Sequence, residues 1–273
     1  MSTDLLVVAV AALWGAVTGA VLPRAAYRFS APAGEPWRDR CPDGHPVRGW
    51  LGRARCGQCG RASATRTAAD GVVSSSADGA TRGAANSAPG SPVYGAGAAV
   101  LVTVTALVCA ALAAATGTRP ELAVWLLIAP VGVLLAVVDL RVRRLPDPLT
   151  LPLAGAALAL LGLTALVPEH AGEWTTALLG ALALGAGYFV LWFINPAGMG
   201  FGDVKLALGA GAVLGWYGWP TLMLGTFAAF LLGALYGGVL VVAGRAGRKT
   251  ALAFGPFLIT GAFLGLLVGA YTA

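Results

Sequence analysis

Leu122-Ala-Val-Trp-Leu-Leu-Ile-Ala-Pro-Val-Gly-Val-Leu-Leu-Ala-Val-Val-Asp139-Leu140 is followed at once by Arg141-Val-Arg-Arg144. About 20 consecutive apolar residues are what an α-helix needs to cross a bilayer, so this run predicts a membrane span. Its single charge, Asp139, stands one residue before the end, where the arginines bring the chain out into water. A carboxylate at the edge of hydrocarbon is costly and reads as a functional group by default. The alternative is a helix-end acid paired with Arg141 or Arg143. A helix C-terminus disfavours an anion, so structure alone gives little reason to place one there.

The rest of the chain repeats this pattern. Of 273 residues, 58% are hydrophobic and 11% charged, against about 25% charged in soluble domains. Further apolar runs cover Leu5–Leu22, Gly95–Ala115, Leu149–Val167, Trp174–Ile194, a short Leu206–Trp216, Pro220–Val242 and Ala251–Tyr271. The expected fold is therefore all-α, a polytopic transmembrane helical bundle of about eight spans with a small cytoplasmic Cys-containing loop. Of 18 Lys and Arg, ten lie between Arg24 and Arg82, three in Arg141–Arg144, one at Lys205 and three in Arg245–Lys249, leaving Arg119 alone. That bias is what the positive-inside rule produces, so the net charge of +6 reports membrane orientation and not a nucleic-acid partner. Eight spans with the N-terminus outside put every basic connection in the cytoplasm. They also place Trp125, Trp174, Trp216 and Trp219 near the outer interface as belt residues. Residues 1–4 lack a basic n-region, so the first run is expected to stay as an anchor.

A second acid closes a glycine-rich turn, Gly198-Met-Gly-Phe-Gly-Asp-Val-Lys205, after Asn195-Pro196 ends the fifth run. Gly198, Gly200 and Gly202 would let an extended substrate backbone approach, since glycine presents no side chain. The alternative is a flexible connection whose Asp203 caps the next helix. Two carboxylates at cytoplasmic span ends, Asp139 and Asp203, make a proton-sharing dyad of the aspartic-protease kind if they meet. Lys205 is expected either to favour the Asp203 anion or to anchor the helix at the interface. Asp147-Pro148 opens the fourth run, with Asp147 as N-cap and Pro148 at N1.

The hydrophilic stretch contains Cys41-Pro-Asp-Gly-His45 and Cys56-Gly-Gln-Cys59. Cys41, His45, Cys56 and Cys59 supply three thiols and an imidazole for a structural tetrahedral zinc; the alternative is a loop with free thiols. Cys109 lies inside an apolar run and reads as packing. Residues 62–92 are rich in Ala, Ser, Gly and Thr and read as a disordered linker. The expected organisation is residues 1–22 as the first span and residues 23–94 as a cytoplasmic loop, with a zinc knuckle at 38–60. Residues 95–273 follow as a transmembrane aspartic peptidase domain. Because the loop joins spans one and two, it is expected to stand apart from the two acids.

At these residues the chain resembles the type IV prepilin peptidases, membrane aspartic proteases that process pilins and pseudopilins. The family's first Asp followed by a short Leu-Pro-Asp element is matched by Asp139 and Leu145-Pro146-Asp147. Its Gly-x-Gly-Asp-x-Lys is matched by Gly200 to Lys205, and its Phe-Gly-Pro-Phe by Phe254-Gly255-Pro256-Phe257. Gly19 to Arg28 resembles the family's N-terminal element, with Ala20 and Pro23 replacing its Ser and Asn. The resemblance implies Asp139 and Asp203 as catalytic, with Gly198, Gly200, Gly202, Lys205, Pro146, Asp147, Gly255 and Pro256 around the substrate. It implies an inner-membrane enzyme facing the cytoplasm that cuts a basic leader from an apolar helix, with no cofactor for peptidase chemistry. Members that also methylate the new N-terminus carry two Cys-x-x-Cys pairs. Gly44 stands where the second Cys would be, so S-adenosylmethionine is not expected as a cofactor. The competing function is an ion- or proton-coupled small transporter using Asp139 and Asp203, which requires acids near the bilayer midplane and broken helices.

Overall fold

The computed structural model describes residues 3–32, 34–61, 93–94, 97–196, 198–245 and 253–273. Among them the long elements are helices: α1 (Thr3–Phe29), α2 (Ala98–Thr116), α3 (Glu121–Val142), α4 (Asp147–Thr164), α5 (Trp174–Ile194), α6 (Phe201–Gly215), α7 (Trp219–Val242) and α8 (Gly255–Thr272). These eight match the eight apolar runs, and the chain is a multi-pass membrane protein. Seven are long and apolar enough to cross a membrane. The exception is α6, whose 15 residues extend about 22 Å. It can be short because it is central: 11 of its residues are buried, and it packs against α4, α5, α7 and α8. The proposed linker, residues 62–92, lies outside the described residues.

Glycine lets the helices approach closely, as small residues do in membrane bundles. A Cβ on Gly19 of α1 would stand 2.7 Å from the Leu101 carbonyl oxygen of α2, and one on Gly180 of α5 would stand 2.6 Å from that of Gly211 in α6. The first helix runs past the expected limit at residue 22, through Pro23, to Phe29. Its extra turns are held by burial, because Leu22, Ala25, Ala26 and Phe29 join a cluster with Val133, Leu134 and Val138 of α3.

Short contacts fix which connections share an end of the bundle. At one end Arg144, after α3, donates to the Pro32 carbonyl after α1 at 2.9 Å. At the other, Glu173 before α5 donates its N–H to the Trp216 carbonyl after α6 at 2.9 Å. There Arg119 also donates to the Ala270 carbonyl in α8. Trp174 and Trp219 are exposed at this second end, as expected of belt residues. Trp125 and Trp216 are not: each is 1% exposed. They pack inside the bundle in one core cluster beside Tyr217, whose hydroxyl donates to the fully buried Glu121 at 3.3 Å.

Candidate active site

Asp139 occupies the last turn of α3 and Asp203 the first turn of α6, 4% and 6% exposed. The two helices do not pack on one another, whereas α4 and α8 contact both. The acids therefore face one another across a gap, and both line a cavity of about 360 Å³. Its other walls include Trp37, Arg143, Arg144, Leu145, Asp147, Gly200, Gly202 and Lys205.

Each carboxylate looks at a helix N-terminus. Gly200 is the N-cap of α6, so Asp203 stands at the third helical position and faces the Gly200 N–H. That is half of a capping box, and the acid caps its helix while lining the cavity. Asp139 faces the N–H of Gly255, the first residue of α8. The objection to an anion at the end of α3 is answered here, because the positive end of α8 meets it. The Asp139 Oδ2 atom itself has no hydrogen-bond partner among the described residues.

The glycines make room for the acids and for Leu145. A Cβ on Gly255 would stand 2.7 Å from Asp139 Oδ2, and one on Gly202 would stand 2.9 Å from the Leu145 Cβ. Gly198 lies in the exposed turn before α6 against Asn195, away from the cavity wall. Pro256 is buried in the first turn of α8. Arg143 takes a left-handed conformation, φ 51°, to end α3, and donates its N–H to the Asp139 carbonyl at 2.8 Å.

Two expectations change. The N-cap of α4 is Pro146, not Asp147, and no side chain caps this helix. The Asp147 carboxylate instead pairs with Lys205 Nζ at 2.7 Å, which draws Lys205 away from Asp203. The loop after α1 does not stand apart from the acids either. Because α1 continues to Phe29, it delivers the following segment beneath the α3–α4 turn. There Arg144 sits 4.4 Å over the Trp37 ring, and Trp37 walls the cavity.

Cys41, His45, Cys56 and Cys59 converge, with all donor atoms within 4.8 Å of one another. The Cys41 and Cys59 sulfurs are 3.8 Å apart, and His45 Nδ1 lies 3.5 Å from the first and 3.3 Å from the second. Four bonds of about 2.3 Å at the tetrahedral angle put sulfurs about 3.8 Å apart, so the set fits zinc. Gly44, at φ +82°, forms the turn that lets His45 take the second ligand's place. The Cys59 backbone N–H holds the Cys56 thiol below the ordinary range, against desolvation. The Asp43 carboxylate raises that of Cys59.

The family model described as the type IV leader peptidase family matches residues 122–238. The resemblance read from the motifs is met in the membrane core. The chain is 36% identical over 153 residues to a prepilin leader peptidase/N-methyltransferase of Aeromonas salmonicida, covering 53% of this chain and 47% of that protein. It is 37% identical over 142 residues to the Escherichia coli (strain K12) protein of that name, 48% and 57% of the two chains. With the Pectobacterium carotovorum protein of that name, identity is 34% over 174 residues, 59% and 57% of the two chains. The chain thus spans about half the length of the curated relatives it matches. No solved structure matches it.

Trp37, which lines the cavity, and the buried Glu121 and Tyr188 were not singled out in the sequence. Trp37 was legible as a lone large aromatic in a polar stretch, Glu35-Pro-Trp37-Arg38. Glu121 opens α3 and Tyr188 lies in an apolar part of α5, and only packing shows what surrounds them.

Proposed function

We propose that this chain is a membrane aspartic endopeptidase that removes leader peptides from prepilin or pseudopilin substrates at the cytoplasmic membrane face. The observation that carries the reading is the meeting of Asp139 and Asp203 across a gap at one end of the bundle. The leader peptidase similarity of residues 122–238 supports it. Acids at helix ends, not at the midplane, favour this reading over an ion-coupled transporter.

In the mechanism, like charges at close range do not both ionise, so the pair holds one proton between them. The ionised member takes a proton from a water in the gap, which attacks the scissile carbonyl. The protonated member donates to the carbonyl oxygen and later transfers its proton to the leaving amine. The helix N-termini at Gly200 and Gly255 hold the carboxylates in place. The site faces the cytoplasm and the N-terminus the outside of the inner membrane, a reading supported by the bias of basic residues to one set of connections. Residues 95–273 form the catalytic unit and residues 23–94 a loop whose Trp37 walls the site. Cys41, His45, Cys56 and Cys59 would hold zinc as a complete set of four protein ligands, which would supply folding stability. The bilayer and a pilin-like protein are the partners, and the new N-terminus is left unmethylated.

The test is cleavage of a prepilin by membranes containing the wild-type chain or Asp203→Asn. The wild type is expected to release the leader and the variant to leave the substrate intact. Equal cleavage by both, or none by the wild type, overturns the proposal.

A further inference from the structure

Both acids have a helix N-terminus in front of them, so backbone groups alone do not tell them apart. Tyr188 does. It lies in the apolar run of α5, is 1% exposed, and its hydroxyl has no hydrogen-bond partner among the described residues. It shares a buried cluster with Leu145 of the cavity wall and with Val204, the residue after Asp203. Its ring centroid is 6.0 Å from that of Phe254, the residue before Gly255, and 5.7 Å from that of Phe230. The residues that flank the dyad therefore enclose this phenol, which is within electrostatic reach of the Asp203 carboxylate. A buried hydroxyl without a partner is costly, and phenylalanine would fill the same space without that cost.

We infer that Tyr188 is a positioning residue for Asp203: its hydroxyl donates to the Asp203 carboxylate in the working enzyme and makes Asp203 the base, leaving Asp139 as the acid. This rests on the peptidase reading above. A donor to the charged form of a carboxylate favours that form. Besides Asp203, the ionisable groups that line the cavity are Asp139 from α3, Arg143 and Arg144 from the following turn, Asp147 from α4, and Lys205 from α6 itself. Lys205 is held by Asp147 at 2.7 Å. Arg144 is held by the Pro32 carbonyl at 2.9 Å. α8 presents the Gly255 N–H. Tyr188, packed behind the wall residue Leu145, brings a neutral hydroxyl, which can favour one member of the pair without itself carrying charge.

The experiment measures kcat and KM for prepilin cleavage against pH in the wild type, Tyr188→Phe and Phe230→Leu, with melting temperature as a fold control. Tyr188→Phe should melt no lower than the wild type. Its kcat at neutral pH should fall roughly tenfold at similar KM, and the acid limb of its profile should move up by about one pH unit. The sign follows because losing the donor raises the pKa of the base. Phe230→Leu changes packing against the same ring, and its pH profile should stay in place. A Tyr188→Phe enzyme with the wild-type profile and kcat overturns the inference alone. A profile that moves equally in both variants also overturns it, by showing that packing and not the hydroxyl matters. A wild type that does not cleave overturns the peptidase reading and this inference with it.

Discussion

Gly255→Ala adds one methyl group against Asp139, a member of the proposed catalytic dyad, and the structure sets the size of the effect. The new Cβ would stand 2.7 Å from Asp139 Oδ2 and 3.4 Å from Leu145 Cδ1. Ordinary contact lies several tenths of an ångström further out, so the carboxylate must retreat by roughly half an ångström or turn about its χ angles. Leu145 also packs closely on Gly202, with a Cβ there only 2.9 Å away, so its side chain has little freedom to yield. Misplacement of about 1 Å costs on the order of 100-fold in a positioned reaction, so kcat should fall roughly 10- to 100-fold. The fold should survive. Overpacking costs about 1–3 kcal/mol, but alanine gains about 1 kcal/mol over glycine in a helix. The assay is the initial rate of leader removal by the purified full chain in lipid nanodiscs, with melting temperature measured alongside. Gly238→Ala in α7, where an added Cβ meets nothing within 4 Å, is the control and should match the wild type. A Gly255→Ala enzyme within twofold of wild-type kcat would refute the claim that this glycine is there to seat Asp139.

Asp139→Asn and Asp203→Asn should each abolish cleavage in membranes while protein levels and insertion persist, because each removes one partner in proton transfer. Asp147→Asn should keep at least about a third of the activity, since Asp147 is 62% exposed in its pair with Lys205, and exposed pairs are worth about 0–1 kcal/mol; a dead Asp147→Asn would show that the wrong acids are paired. Replacing both Cys56 and Cys59 with Ser should remove protein-bound zinc, read by elemental analysis, and lower abundance while leader removal continues. Mass spectrometry of the processed pilin should find an unmethylated N-terminus, and a methyl addition that requires this chain would refute that. In a background without the four native cysteines, a cysteine at 143 should label from the cytoplasm and one at 171 from outside. Sites 80 and 247 are also expected to be cytoplasmic, and they lie outside the described residues.

The fold was legible because membrane insertion writes itself in composition: each of the eight helices was an apolar run before it was a helix. Boundaries were harder. Nothing in the hydropathy of Pro23 to Phe29 announces a helix, since those turns are held by α3 and not by lipid. The same limit hid Trp37, whose place at the cavity follows from where α1 ends. Asp139 and Asp203 stood out because charge is rare in apolar surroundings, but their separation by 64 positions concealed what each would face. The tryptophans mislead for a related reason. Trp125 and Trp216 have the position of belt residues, yet the apolar core beside Tyr217 claims them.

The pairing of Lys205 alters the electrostatics of the dyad. By proximity in sequence, Lys205 should neutralise Asp203, and an acid with a resident cation has less reason to share a proton. Lys205 instead binds Asp147 at 2.7 Å. Of the two arginines on the cavity wall, Arg144 is committed to the Pro32 carbonyl at 2.9 Å and to the Trp37 ring. Two of the three cations that line the cavity are therefore engaged elsewhere. Arg143 is the third, and the groups that face Asp139 and Asp203 include a backbone N–H each, from Gly255 and Gly200. A single N–H can orient a carboxylate but does not cancel its charge, so two such groups in one buried cavity still disfavour double ionisation. On the peptidase reading proposed above, a dyad without a resident cation keeps the proton that general acid–base catalysis uses, and the exposed Asp147–Lys205 pair adds only a small part to that.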